Sequence, residues 1–481
     1  MAHVHIAKGV KLDMLNGPLL KNILVFAIPL YFVGVFQQLF NAADAAVVGR
    51  FVGAEALAAV GGVTPIISLV VNLFVGLSVG ANVVIAVYIG HGETGRIKEA
   101  VSSIMALSLI CGLVMTGVGI GLAGPVVDAI GTPAAVAPMA TRYLQVYFAG
   151  SIFMMLYNFG SAILRSKGDS LRPLVALMAS VLVNLGLNVL FVGTLGWGID
   201  GVAWATVIAC GVSAALVVAF LMREEGDFKL DLRNLKIDKG PLVHMLRIGV
   251  PAGLQGAVFS LSNVAIQSGI NSFGAACIAG SAAAVNYEFF TYYLTTAFVQ
   301  SAVTFIGQNF AAARFDRCKK IVVICLVGAF VGNAVLSVTF LMFKEAFLGI
   351  YTSDPAAMEY GAERMARVGL FQCIACSYEI TAGAMRGMGR SMLPAVISVV
   401  GSCLLRFVWV FTVFAWMGSF KVLMDVYVVT WVITGTAMVI AFGVVWHKAI
   451  QEKGAQRFNS ASKARNRKKG ATVAKGADPL Y

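Results

Sequence analysis

Charge is scarce in this sequence. Asp, Glu, Lys and Arg make up 12% of its 481 residues, against 59% hydrophobic ones. A soluble globular chain carries about a quarter charged and about half apolar residues, so a water-soluble fold is excluded. Acids are the scarcest, 23 against 36 bases, for a net charge of +13. Other absences narrow function. No G-x-x-x-x-G-K-[ST] stretch occurs, which removes ATP as the direct energy source. No H-E-x-x-H or equivalent catalytic set occurs, which argues against a membrane-embedded enzyme. No filter sequence is repeated, which argues against a channel. The five histidines fall at the ends of apolar runs or in the N-terminal segment, so no buried metal or histidine proton relay is expected. The eight cysteines lie mostly inside apolar runs and read as reduced small hydrophobes, not as a disulfide framework. No cleavable signal peptide is expected either, because the first apolar run is too long and no small-residue cleavage site follows it.

What is present is length in apolar runs, such as "ILVFAIPLYFVGVFQQLF" and "VVICLVGAFVGNAVLSVTFLMF". A helix needs about 20 mostly apolar residues to cross a bilayer. That criterion predicts about twelve spans, near 22–48, 56–90, 98–123, 138–164, 172–194, 201–222, 243–271, 276–310, 319–343, 360–385, 393–416 and 424–447. The predicted fold class is an all-α integral membrane protein. Lys and Arg collect at the N-terminus, in every even-numbered connection and in the tail "SKARNRKK". The positive-inside rule then puts both termini in the cytoplasm of a multi-pass plasma-membrane protein, the cytoplasmic membrane of a bacterium. Topology accounts for the net charge without a nucleic-acid partner, and the basic tail and loops are expected to lie against anionic lipid headgroups. "GIGLAG" (119–124) and "GLSVG" (76–80) fit nucleotide and nucleophile motifs, yet both fall inside spans, where small residues suit close helix packing.

The chain repeats itself. "LRSKGDSLRP" (164–173) returns as "MRGMGRSMLP" (385–394), so that Arg165 and Arg386, Gly168 and Gly389, and Pro173 and Pro394 share one offset of 221 residues. "GPLL" likewise meets "GPLV", and Pro29 meets Pro251. Residues 17–222 and 240–447 are read as two copies of a six-helix lobe, joined by a cytoplasmic linker at 223–239 and flanked by an N-terminal segment (1–16) and a basic tail (448–481). Six is even, so both copies enter from the same side, and a cavity is expected between these pseudo-symmetric bundles. The echoed stretch becomes the turn between helices four and five of each lobe. Its Arg should anchor at the headgroups, its Gly permit the turn, and its Pro begin the next helix. Pro29 and Pro251 each remove a helical hydrogen bond, which fits either moving hinges or static kinks.

Six plus six helices, a proline-bent first helix, Asp in "FNAADAAVVG" and the paired R-x-x-G-x-S-x-x-P turn resemble the multidrug and toxic compound extrusion (MATE) family over residues 15–447. The resemblance implies a monomeric exporter of small organic cations, exchanging them for Na⁺ or H⁺ through a cavity between two V-shaped lobes, with no cofactor or bound metal. It carries the family's helix-one carboxylate onto Asp44, its helix-four Asn onto Asn158, and its helix-five pattern onto Asn184 and Asn188. The second helix-five position is Asn here, where the family often has Asp, so a site with two carboxylates is in doubt. The helix-seven acid of some members is absent. A major-facilitator fold is also six plus six, but "GHGETGRIKEA" is only faintly similar to that family's helix two–three loop.

Ionisable residues well inside predicted spans number four: Asp44, Glu288, Glu379 and Arg406. Such residues default to functional hypotheses. Asp44 lies about 33 Å along helix one from Asn22; it either holds H⁺ or Na⁺ with Asn184 and Asn188 as oxygen ligands or is merely hydrated near the outer interface. Arg406 is expected to pair with Glu288 or Glu379, as a structural ion pair of the second lobe. The acid left over, beside Tyr287 and Tyr292 in "VNYEFFTYY", would meet a substrate cation through charge and ring faces, unless these aromatics only pack. The predicted function is secondary active multidrug efflux by antiport; the alternative is a flippase or exporter of lipid-linked or other amphipathic substrates.

Overall fold

The computed structural model describes residues 12–475, with side chains described to Glu452 except that of Ala54. Residues 1–11 and the tail's basic side chains from 453 onward lie outside the described residues, and so does the expected contact of that tail with lipid. The first lobe contains α1 (Leu19–Val52), α2 (Glu55–His91), α3 (Thr94–Ala129), α4 (Ala137–Ala149 and Ser151–Ser166), α5 (Leu171–Thr194) and α6 (Gly198–Met222). The second contains α7 (Lys239–Asn271), α8 (Ala275–Ala311), α9 (Phe315–Met342), α10 (Pro355–Arg364 and Ala375–Gly387), α11 (Met392–Met417) and α12, whose apolar part is Phe420–Glu452. Ten of these helices are long and apolar enough to cross a membrane, and α4, bent by 45° at Gly150, makes eleven.

The expected span at 360–385 differs. It starts five residues earlier, where the Asp354 side chain accepts from the Ala356 amide and Pro355 opens the helix. It then passes through a π-helical stretch (Met365–Gly369) and a 3₁₀ turn (Gln372–Ile374) before resuming as Ala375–Gly387. Side-chain bonds cross at this break: Thr291 Oγ1 donates to Gln372 Oε1 at 2.7 Å, and Gln372 Nε2 donates to the Glu288 carbonyl at 3.2 Å. Gly150 and Phe371 stand one repeat apart, so both copies of helix four are interrupted at the same place.

The lobes meet along α2 and α7 through small residues. A Cβ on Gly76 would lie 2.3 Å from the Gly253 backbone, and one on Gly80 would lie 2.3 Å from the Met245 carbonyl. "GLSVG" is thus half of a backbone-to-backbone seam completed by Gly249 and Gly253 of "GVPAG", with Pro251 between them. Asn72 extends the seam by donating to Ser260 Oγ at 2.9 Å, and Asn82 joins Thr304 of α8 at 2.9 Å. Further along the same faces the environment changes. Leu69, Pro65 and Gly61 of α2 are exposed, as are Asn263 and Gln267 of α7, and nothing lies within 4 Å of where a Gly61 Cβ would be. The two lobes therefore touch at the end that carries the N-terminal arm and diverge at the other.

Candidate functional site

In the first lobe, α1, α5 and α6 bring three polar side chains onto one carboxylate. Asp44 is 7% exposed. Its Oδ1 accepts from Asn188 Nδ2 at 2.6 Å and its Oδ2 from Thr206 Oγ1 at 2.9 Å, while Asn188 Nδ2 also reaches Asn184 Oδ1 at 3.1 Å. Asn184 and Asn188 stand one turn apart on α5, so their amides stack on the same face. Among the described residues no Lys or Arg pairs with Asp44; Tyr143, Tyr147 and Cys210 surround it. Every donor to this acid is neutral. Asn188 Oδ1 is left without a donor, so the cluster offers oxygens from Asp44, Asn184, Asn188 and Thr206. Asn158 stands apart: its side chain donates to its own helix at the Met154 carbonyl, 2.8 Å away. Thr206 escaped the sequence reading because its only signal is its place one turn after Val202 on the face that packs α1.

The second lobe corrects three expectations. Arg406 pairs with neither acid. It is fully buried between the rings of Phe259 and Tyr427, each 4.8 Å from its guanidinium carbon, and Nη1 donates to Asn263 Oδ1 at 2.9 Å. Among the described residues its Nε and Nη2 have no hydrogen-bond partner. Glu288 instead receives a two-pronged bond from Arg364, at 2.7 and 3.0 Å, so it is not a spare carboxylate. Arg364 falls near the start of the span expected at 360–385, but the cap at Asp354 carries it about 15 Å into the helix, level with Glu288. Tyr287 is buried too, with its hydroxyl given to the Phe347 carbonyl at 2.6 Å and its ring against Phe340 and Phe347. That is packing. Glu379 is the half-buried acid that remains; its electrostatic neighbours are Arg386 on the same helix and Tyr292, which is 44% exposed, on α8.

The twin turns also depart from expectation. Gly168 (φ +99°) and Gly389 (φ +80°) take the left-handed conformation that the turn requires. Their arginines do not stay at the headgroups. Arg386 is 8% exposed and donates to Gln255 Oε1 of α7 at 2.6 Å, while Arg165 faces Tyr157 inside its own lobe. The reason is local: each Arg ends a helix whose preceding turn is buried, so its long side chain runs back into the bundle. Lys167 and Arg172 take the outer role by closing on Glu224 beyond α6, with Asp169 bound to Arg172. Burial alone would raise the Glu224 pKa, but these two cations hold it below the ordinary carboxylate range.

Comparison with known proteins decides the kinship. The MatE family model matches twice, over residues 29–190 and 251–412, and Pro29 and Pro251 open the two matches. The chain belongs to the MatE family. It is 27% identical to the probable multidrug resistance protein YoeA of Bacillus subtilis, over 79% of this chain and 83% of that protein. It is 23% identical to the FAD transporter of Shewanella oneidensis, over 72% of this chain and 77% of that protein. Its fold superposes on a MATE crystallised in complex with MaL6 with a TM-score of 0.83 and 21% identity, covering 92% of this chain and 99% of the other. This MATE chain is a multi-pass membrane protein of the twelve-helix, two-lobe kind, akin to multidrug efflux transporters.

Proposed function

We propose that this MATE protein exports organic cations by antiport with H⁺ or Na⁺, without a cofactor and without catalysing a chemical reaction. One observation carries the reading: a buried carboxylate, Asp44, held by neutral donors and, among the described residues, by no cation. A bare carboxylate at that depth is costly, and a proton or Na⁺ from the aqueous phase relieves the cost. Asp44, Asn184, Asn188 and Thr206 supply the oxygens such an ion needs. Loading the ion draws α1, α5 and α6 together, and α1 carries the change to the cavity wall, where Gly34 packs against Tyr293. Tyr292 and Glu379 would meet a cationic substrate through ring face and charge. Ion and substrate then favour different states of one equilibrium.

The positive-inside rule places both termini in the cytoplasm, which makes the diverging end the outer one and this state outward-open. Anionic lipids at the basic loops and a monomeric assembly complete the picture. A second reading rests on Arg406, whose unpartnered N–H groups suit an amphipathic anion; the relative named an FAD transporter supports it.

Inside-out vesicles test both. A fluorescent lipophilic cation is followed while H⁺ and Na⁺ gradients are imposed separately, with Asp44→Asn in parallel and an anionic amphiphile in a second series. Gradient-driven cation uptake that Asp44→Asn abolishes supports antiport and identifies the ion. Uptake of the anion alone, lost in Arg406→Met, overturns it in favour of the second reading.

A further inference from the structure

Where the lobes touch, the chain builds a cavity that the transport reading leaves unused. It has a volume of 610 Å³ and opens between the arm leading into α1 and the first turns of α9. Pro18 and Leu19 form one wall; Arg317, Lys319, Lys320 and Val323 form the other. Arg317 is fixed: Nη2 donates to the Gly17 carbonyl at 2.8 Å and Nε to Asn309 Oδ1 at 3.1 Å. Lys319 and Lys320 are exposed, and among the described residues neither joins an ion pair. Asp13, an acid close to Arg317, is occupied: the Asn16 amide, at 2.8 Å, is the main group holding its pKa below the ordinary range. Beyond the lysines the surface turns apolar at once, with Val323 58% and Leu20 59% exposed.

A cationic rim at the membrane surface above an apolar wall matches a phospholipid, whose phosphate is followed directly by hydrocarbon. We infer that this cavity binds the headgroup of an anionic phospholipid, through Lys319, Lys320 and Arg317, with the first methylenes against Leu19 and Val323. Free phosphate would satisfy only the rim.

The position of the site gives the lipid a consequence. Its two walls belong to different lobes, and the bonds that hold them together lie beside it. Asn309 Nδ2 donates to the Met14 carbonyl at 3.0 Å, Arg314 Nη1 to the Leu15 carbonyl at 2.9 Å, and Gln308 Nε2 to the Ser166 carbonyl at 2.7 Å. Alternating access, on which this step rests, requires the same end to open. A ligand that binds only the closed arrangement stabilises it increasingly as its concentration rises above its dissociation constant. The lipid is therefore a clasp that holds the lobes together at this end.

The test uses the full chain in nanodiscs of phosphatidylcholine alone or with a quarter phosphatidylglycerol, read by amide hydrogen exchange over residues 12–24 and 308–324. With the lipid at about ten times its dissociation constant, exchange in both segments slows about tenfold, and Lys319→Gln/Lys320→Gln removes the slowing. Equal slowing in the variant means a diffuse surface-charge effect and overturns the site. Equal slowing by millimolar inorganic phosphate in phosphatidylcholine overturns the lipid. Unchanged exchange in phosphatidylglycerol overturns the clasp. Efflux by the double variant in phosphatidylcholine vesicles is measured beside these; its loss or retention bears on the transport reading, independently of the clasp.

Discussion

In the first lobe, among the described residues, the buried acid Asp44 has no cation beside it; in the second, Arg364 binds Glu288 while Arg406 is buried without an acid. Asp44 is met by Asn188 and Thr206, whereas Glu288 is met by Arg364, with Arg406 left over between two rings. The two lobes descend from one plan, as the paired turns and the matched breaks in α4 and α10 show, yet they hold their buried charges differently. The difference teaches where ion coupling can reside. A carboxylate already neutralised by Arg364 gains little from Na⁺ or H⁺, while one neutralised by nothing gains much. Under the antiport proposal, coupling is therefore assigned to the first lobe, and the ion pair of the second is left an architectural role.

The sharpest way to break that contrast is to unbalance the second lobe. Arg364→Met strands Glu288 and is expected to cost about 3–5 kcal/mol of stability, with Glu288→Gln in the same chain recovering most of it. Thermal unfolding in detergent measures this. A loss below about 1 kcal/mol in the single variant would mean that solvent reaches Glu288 and that the pair is no more than a surface contact. Next in size is Thr206→Val in the first lobe. It removes one bond to a charged oxygen, worth about 1.5–3 kcal/mol, so the half-saturating concentration of the driving ion should change at least about tenfold. If transport in the variant follows the ion as before, Thr206 does not belong to the ion site.

Much of this was legible from residues alone. Apolar run length predicts the spans, and the doubled turn predicts two lobes, because both depend on local pattern. Asp44, Asn184 and Asn188 meet as the family resemblance implied; the four-residue spacing by itself says only that the two amides share a face of α5. The pairing of Glu288 was not legible from the midpoint of α10. It hinged on where that helix begins, and "SDPAAMEY" contained the signal in its Asp-Pro cap. Nor did spacing reveal that Arg406 would be lodged between Phe259 and Tyr427, because these rings come from α7 and α12, far off in sequence. Charge rules favour an acid for a buried Arg; here ring faces and an amide oxygen take its place.

That substitution leads to the subtler prediction. Arg406→Met removes two ring contacts, worth about 0.5–2 kcal/mol each, and the bond to Asn263. It also removes a buried charge whose desolvation costs several kcal/mol. The opposing contributions nearly cancel, so unfolding should move by about 1 kcal/mol or less, in contrast to Arg364→Met. Two arginines in one lobe, both fully or nearly fully buried, would then differ severalfold in what their removal costs. If Arg406→Met proves as damaging as Arg364→Met, Arg406 has an anionic partner that becomes engaged in the membrane, and the contrast between the lobes narrows to a difference in which acid each cation holds.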